Sequence, residues 1–160
     1  LCYYRGDAEF HASDWFSAPA ALLDQMSGVT CSAGLTQISR LLSHAVDAGS
    51  TNQPVRALVF VGDACEEPVD VLLSLAGKCR LRQLPLFIFQ EGCDEHARAI
   101  FKKMAIVSGG ATIPLDIDSA KRLRELLKAV SRFARGGIKA LQESRTPEDK
   151  LLLEQLQNAP

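Results

Sequence analysis

The sequence predicts a three-layer α/β/α fold, in which a mostly parallel central sheet carries helices on both faces. Apolar runs at 57–62 and 85–90 show no polar alternation, which is typical of strands buried on both sides. Segments with apolar side chains at helical spacing separate these runs, and strands that alternate with helices favour parallel crossover connections. The run at 57–62 is therefore expected to be a buried central strand.

The N-terminal segment Leu1–Arg5 is aromatic and aliphatic, and we expect it to form a strand that pairs with 9–13 across a turn at 6–8. A helix is then predicted to begin at Pro19 and to end at Gly28. The apolar side chains of that helix share one face, which we expect to cover another element: Leu22, Leu23 and Met26.

The remaining helices are predicted from start signals and apolar spacing. They begin at Ile38, at Glu66-Glu67-Pro68, at Asp94, at Asp118 and at Thr146. The acids at 66–67 are expected to interact with the positive end of their own helix. We expect one α/β domain over 1–135 and a C-terminal extension over 136–160 with an amphipathic helix, joined by a polar linker at 136–145.

Composition excludes several classes of function. The 160 residues are 47% hydrophobic and 23% charged, with a net charge of -1, which gives no basic surface for nucleic acid or an anionic membrane. The sequence has no apolar segment of membrane-spanning length, and its five widely spaced cysteines lack zinc-ligand spacing, which predicts reduced thiols. We therefore expect a cytoplasmic protein that binds neither nucleic acid nor membrane.

A hydroxyl and a carboxylate are the candidate functional groups of the predicted sheet. Asp63 directly follows the apolar run that ends in Gly62, and ligand sites in open parallel sheets lie at such strand ends. Thr36, in the segment 34–38, lies where the preceding helix begins, so we expect both side chains to converge on one small crevice. The structural alternative is that Thr36 caps its helix and Asp63 is a turn or cap residue.

The order of a Gly-x-Thr-x-Ile helix start and an apolar strand ending in Gly-Asp resembles a von Willebrand factor A domain over residues 1–135. The resemblance implies a Rossmann-like fold and a metal-ion-dependent adhesion site above the sheet, with Mg²⁺ (or Mn²⁺) as the cation. It assigns the loop threonine of the family to Thr36 and the third-loop aspartate to Asp63. Ser32, in the loop of Thr36, and Glu91, at a neighbouring strand end, are weaker metal-ligand candidates.

The sequence departs from this family in one motif. No aspartate is followed two residues later by serine, so the Asp-x-Ser-x-Ser motif of the family's first strand is missing. In the family that strand lies beside the strands that correspond to 1–5 and 57–62, and its loss leaves unpaired backbone groups in the core. We therefore expect a fragment that lacks an N-terminal strand and helix rather than a domain that never had them.

The resemblance implies a non-enzymatic protein–protein interaction module that binds a carboxylate of a protein partner through the cation. The alternative is a small magnesium-dependent α/β enzyme or regulatory domain that handles a phosphate-bearing ligand, with Asp63 holding the metal. A third alternative is a structural or homo-oligomeric role, because the leucines of the C-terminal helix would pack on their own domain or on a second copy.

Other polar segments are interpreted as structural. Cys93-Asp94-Glu95-His96 opens a helix, where acids favour the positive helix end and contiguous side chains point in different directions. No histidine is spaced to activate a nucleophile, so a catalytic triad is not supported. The lysines and arginines at 121–135 form a solvated helix face, with contact to an acidic partner as the alternative.

Overall fold

The computed structural model describes residues 1–30, 32–48, 55–115 and 119–157. These ranges contain five strands and six α-helices, and the strands form one sheet of two and one of three. The chain is thus an α/β protein, as the alternating pattern predicts. Some predicted features lie outside the described residues: the connector at 50–54, the helix end at Gly49, Asp116 and the helix start at Asp118.

An antiparallel hairpin opens the chain. β1 (Cys2–Arg5) pairs with β2 (Glu9–Ala12). A hydrogen bond from the N–H of Ser13 to the carbonyl of Leu1 (2.9 Å) extends this pairing by one residue pair. The predicted strand pair across the turn at 6–8 is confirmed.

Three parallel strands form the main sheet. β3 (Leu58–Gly62), β4 (Leu86–Glu91) and β5 (Ala111–Leu115) lie in the order β3-β4-β5. The prediction that 57–62 is the buried central strand is wrong, because β3 pairs only with β4 among the described strands. Val61 is accordingly 44% exposed, whereas all but the last residue of β4 are buried. An apolar run predicts a strand but does not specify its position in the sheet.

Six helices flank the strands in the described parts of the chain. They are α1 (Pro19–Ser27), α2 (Ile38–Ala48), α3 (Val69–Leu81), α4 (Glu95–Ser108), α5 (Ser119–Ser144) and α6 (Pro147–Gln157). The helix starts predicted from proline, acidic and apolar patterns lie close to the observed ones. None of these six helices combines the length and the apolar character needed to cross a membrane.

Two hydrophobic cores lie on opposite faces of the main sheet. Side chains alternate along β4, so that Leu86 and Ile88 pack in the first core and Phe87 and Phe89 in the second. The first core contains side chains from α2, α3 and α4 and also receives side chains of the hairpin. The second contains side chains from α5 and α6. Helices therefore lie on both faces of the parallel sheet.

The first helix is not packed as its pattern predicts. No residue of α1 is buried, and Leu23 and Met26 are 66% and 46% exposed. Pro19 in the first turn has its φ already set for a helix. The expectation that the apolar face of α1 covers another element is therefore wrong, since this face is largely in contact with solvent.

The predicted linker is mostly helical. α5 kinks at Gly137, whose φ of 64° is non-helical, and then continues to Ser144. Glycine adopts this conformation without a steric penalty. Leu141, beyond the kink, is buried in the second core. Burial of this side chain explains why the segment is helical, although the polar sequence at 136–145 predicts a linker.

The C-terminal helix packs on its own chain and closes one sheet edge. Leu152 of α6 is buried in the second core, with the neighbouring leucines packed around it. The side-chain amide of Gln155 accepts a hydrogen bond from the N–H of Thr112 in β5 (2.8 Å) and donates one to its carbonyl (2.7 Å). Pro114 is the next residue of β5 whose backbone faces the open edge of the sheet. Because proline has no N–H, this position leaves no backbone donor unpaired. An oligomer built through α6 stays a prediction.

Candidate functional site

The candidate site lies at the carboxyl end of the main sheet, where the loop at 32–37 meets the loop at 63–68. The N–H and the hydroxyl of Thr36 donate hydrogen bonds to Oε2 of Glu66, at 3.1 and 2.8 Å. The N–H of Glu66 donates in return to the hydroxyl oxygen of Thr36 (3.3 Å). The two loops are thus joined by a reciprocal set of hydrogen bonds.

The next acid, Glu67, caps a helix from an earlier part of the chain. Its carboxylate accepts hydrogen bonds from the backbone N–H groups of Ile38 and Ser39, the latter at 2.9 Å. These N–H groups at the start of α2 have no partner within the helix, and the helix dipole favours a negative charge there. The prediction that the acids at 66–67 serve their own helix is therefore wrong, and α3 begins without a side-chain cap.

Asp63 is exposed in the loop directly after β3. Within the described residues its carboxylate makes no hydrogen bond or ion pair. Burial raises the pKa of Tyr4 well above its usual value, and the negative charges of Glu67 and Asp63 raise it further. Tyr4 of β1 packs against the first hydrophobic core, which also contains Cys65 of this loop.

Two further acids lie where β4 ends and α4 begins. Glu91 is exposed as the last residue of β4. Asp94 is the N-cap of α4, and its Oδ1 accepts hydrogen bonds from the N–H groups of His96 (2.8 Å) and Ala97 (3.1 Å). The interpretation of 93–96 as a helix start is confirmed.

The electrostatics of Glu66 follow from its contact with Thr36. The hydrogen bonds from Thr36 lower the pKa of Glu66, because they stabilise its charged form. Burial and the negative charge of Asp94 oppose this effect, and the hydrogen bonds outweigh them. Glu66 is therefore ionised at neutral pH, and together with Asp63 and Glu67 it makes this edge acidic.

Backbone contacts with β1 position the loop that carries Thr36. Ser32 is exposed, and its carbonyl accepts a hydrogen bond from the N–H of Gly6 (3.1 Å). Gly34 packs directly against Gly6, and a Cβ on Gly34 would overlap the Gly6 carbonyl. This close approach of two backbones holds the loop at the end of β1, with Thr36 directed towards Glu66.

The structure brings Thr36 onto the loop that carries Asp63, but the contact it makes there is with Glu66. The sequence does not indicate that Glu66 contacts Thr36 or that Glu67 caps α2. Their signal is an acidic pair before Pro68, which is equally typical of a helix start. Thr36 and Asp63 as a pair of metal ligands, with Ser32 and Glu91 as weaker ones, stay a prediction.

The oxygen atoms of this edge have the chemistry that Mg²⁺ prefers, since this hard cation takes carboxylate and hydroxyl ligands and retains several waters. Among the described residues, no three His, Cys, Asp or Glu side chains form a metal-binding group. Both Thr36 hydrogen bonds go to Oε2 of Glu66. Oε1 of Glu66 and the carboxylate of Asp63 accept no hydrogen bond within the described residues.

Comparison of the chain with protein-family models, with curated proteins and with solved structures gives no match.

Proposed function

We propose that the chain is a non-enzymatic protein–protein interaction module of the von Willebrand factor A type, with a three-layer, Rossmann-like arrangement. A parallel sheet with helices on both faces supports the proposal. The resemblance of the Gly-x-Thr-x-Ile and Gly-Asp segments supports it as well. In this proposal the partner binds at the carboxyl end of the sheet.

The observation that carries the proposal is the hydrogen bonding between Thr36 and Glu66, thirty residues apart in the chain. It joins the loop before α2 to the loop after β3, so that the threonine hydroxyl and Asp63 belong to adjoining loops. Binding residues are concentrated on loops that a rigid scaffold positions. A partner at this edge would contact both loops at once.

In this proposal Asp63 and Thr36 hold Mg²⁺ or Mn²⁺, with Glu66 as a further oxygen donor and with Ser32 and Glu91 at the periphery. The cation, when bound, would supply a coordination position for a carboxylate of the partner protein. The negative charges of Asp63 and Glu66 would otherwise repel such a carboxylate. The negative charge at this end of the sheet therefore explains why binding a carboxylate of the partner would require a cation.

Thermal unfolding with and without Mg²⁺ or Mn²⁺ tests the proposal. A ligand that binds only the folded chain raises Tm, so we expect a rise for the wild type and none for Asp63→Asn. The matched control is Asp14→Asn, which changes an exposed aspartate between β2 and α1 and should retain the full rise.

Three results would contradict the proposal. Without a rise in the wild type, the chain holds no cation, and a rise that survives Asp63→Asn assigns the cation to another part of the chain. Magnesium-dependent turnover of a phosphate ester that Asp63→Asn abolishes would favour the enzymatic alternative.

A further inference from the structure

One side of α5 carries a row of exposed basic side chains, which we call the basic stripe. Its members are Lys121, Arg124, Lys128 and Arg135. At about 3.6 residues per turn, these four positions lie within about 60° of one another around the helix axis, and they extend over about 21 Å along it. The whole stripe precedes the kink at Gly137, so it lies on one straight length of helix.

Most of the charge of the basic stripe has no partner in the described part of the chain. Lys128 forms an ion pair with Glu125 (2.8 Å), and the other three cations make no ion pair with a described residue. By contrast, Arg132 donates a hydrogen bond to the buried Asp149 (2.8 Å). Residues 119–136 contain six basic side chains and one acidic one, although the net charge of the chain is -1. Positive charge is therefore concentrated on one helix of a chain whose remainder is net negative.

The surroundings of the basic stripe discriminate among anionic partners. A helix that binds a membrane surface inserts an apolar face, but the apolar face of α5 is buried in the second core through Leu126, Ala129 and Val130. Single-stranded nucleic acids bind through bases that stack on exposed aromatic rings, and Phe133, the aromatic residue of α5, packs on the second core. The stripe thus has the charge that these two partners require but not the apolar or aromatic surface.

We propose that the basic stripe of α5 binds a helix of a partner protein that carries acidic side chains along one face. Side chains three, four and seven residues apart share one face of a helix, and this is the spacing of Lys121, Arg124 and Lys128. Carboxylates at the same spacing on a second helix would each meet a cation. Leu127, which is 40% exposed, lies at the border of the stripe and offers the partner an apolar contact.

Charge complementarity favours a single acidic helix as the occupant. An anion that extended beyond α5 would meet the net negative remainder of the chain, whereas one helix can contact the basic stripe alone. Exposed ion pairs are individually weak and are screened by salt, so affinity requires several of them along the stripe. The interaction requires no divalent cation and does not depend on the function proposed for Thr36 and Asp63.

Fluorescence anisotropy of a labelled probe peptide tests the proposal. The probe is a helical peptide of about 16 residues with glutamates at the spacing of the basic stripe and alanines between them. We expect saturable binding to the wild type at low ionic strength, which weakens as salt is added. Amide shift changes in the chain should be centred on residues 121–135. Arg124→Glu combined with Arg135→Glu should weaken binding at least about tenfold, because both cations are replaced by repulsive charges.

The matched control combines Lys102→Glu with Lys103→Glu at two exposed positions of α4. It changes the net charge of the chain by the same amount but leaves the basic stripe intact, so it should bind the probe like the wild type. Arg124→Ala combined with Arg135→Ala should weaken binding less than the glutamate variant does. Circular dichroism verifies that each variant is folded.

Three results would overturn the proposal. The first is a wild-type chain that shows no saturable binding of the probe. The second is an equal loss of binding in the α4 control, which would mean that net charge alone attracts the peptide. The third is tighter binding of an equally charged single-stranded oligonucleotide, or of vesicles with anionic phospholipid, than of the acidic peptide.

Discussion

The carboxylate of Glu66 accepts hydrogen bonds from both the N–H and the hydroxyl of Thr36, thirty residues earlier in the chain. This contact joins the loop before α2 to the loop after β3. The neighbouring Glu67 caps α2 from the same loop. Two successive acids therefore attach the third strand to the start of a helix that precedes it.

Removal of the Thr36 hydroxyl should loosen this junction. Thr36→Val keeps the shape of the side chain but removes two hydrogen bonds to Glu66. We expect the free energy of unfolding to fall by about 0.5–1.5 kcal/mol, measured by urea denaturation. Thr112→Val on β5 is the matched control, because the side chain of Thr112 makes no hydrogen bond in the described structure. Equal losses in the two variants would contradict the role given to Thr36.

Acidification should weaken the same junction. The pKa of Glu66 is lowered in the folded chain by its hydrogen bonds with Thr36, so its contribution to stability is present above the unfolded pKa. This contribution is lost as pH falls through the folded pKa. Glu66→Gln should therefore show a flatter decline of unfolding free energy between neutral and acidic pH than the wild type. An unchanged slope in Glu66→Gln would contradict the prediction.

Gly34→Ala should displace the loop that carries Thr36. A Cβ at position 34 would overlap the backbone of Gly6, so the two segments must separate and the bond from Gly6 to Ser32 is disturbed. We expect a loss of about 1–3 kcal/mol of unfolding free energy. Gly77→Ala is the matched control, because Gly77 is within α3 and a Cβ there would make only an ordinary van der Waals contact with Val107, at 4.0 Å. It should stabilise the chain by about 0.5–1 kcal/mol.

Asp149→Asn should destabilise the junction of α5 and α6. The buried Asp149 carboxylate accepts a hydrogen bond from Arg132 (2.8 Å) and one from the hydroxyl of Thr146 (2.8 Å). Burial alone would raise the pKa of Asp149, but these hydrogen bonds outweigh it and lower the pKa. We expect a loss of about 2–4 kcal/mol in urea denaturation. Glu148→Gln, at the adjacent position, should change the stability by less than about 0.5 kcal/mol.

Gln155→Ala should open the outer edge of the main sheet. The side chain of Gln155 pairs with both backbone groups of Thr112, and its removal leaves that edge as unpaired as an ordinary sheet edge. We expect faster hydrogen exchange of the Thr112 amide and a loss of about 1–3 kcal/mol. Gln142→Ala, at an exposed position of α5, should change neither quantity. Unaltered exchange at Thr112 in Gln155→Ala would contradict the edge-closing role.

Local patterns were sufficient for the elements but not for their placement. The hairpin at 1–13 and the cap at Asp94 follow from short-range preferences, and both are observed. The position of β3 at the edge of the described sheet depends on which strands pair with it, and the apolar run at 57–62 carries no such information. In the same way, the helix beyond Gly137 depends on burial of Leu141 in a distant core.

For the candidate site, the sequence predicts the location but not the contacts between its side chains. A strand end followed by Asp63 and a helix start at Thr36 indicate one edge of a parallel sheet, because parallel strands share their carboxyl ends. The sequence cannot indicate that Glu66 and Glu67 reach across to the loop and helix before β3. Their side chains find those partners only because β3, α2 and α3 pack on a common core.

Paramagnetic broadening of amide signals by Mn²⁺ tests the central claim most directly. If Asp63 and Thr36 hold a divalent cation beside Glu66, broadening will be centred on those three residues in the wild type and will be absent in Asp63→Asn. Broadening centred elsewhere in the chain, or the same broadening in Asp63→Asn, would contradict the account.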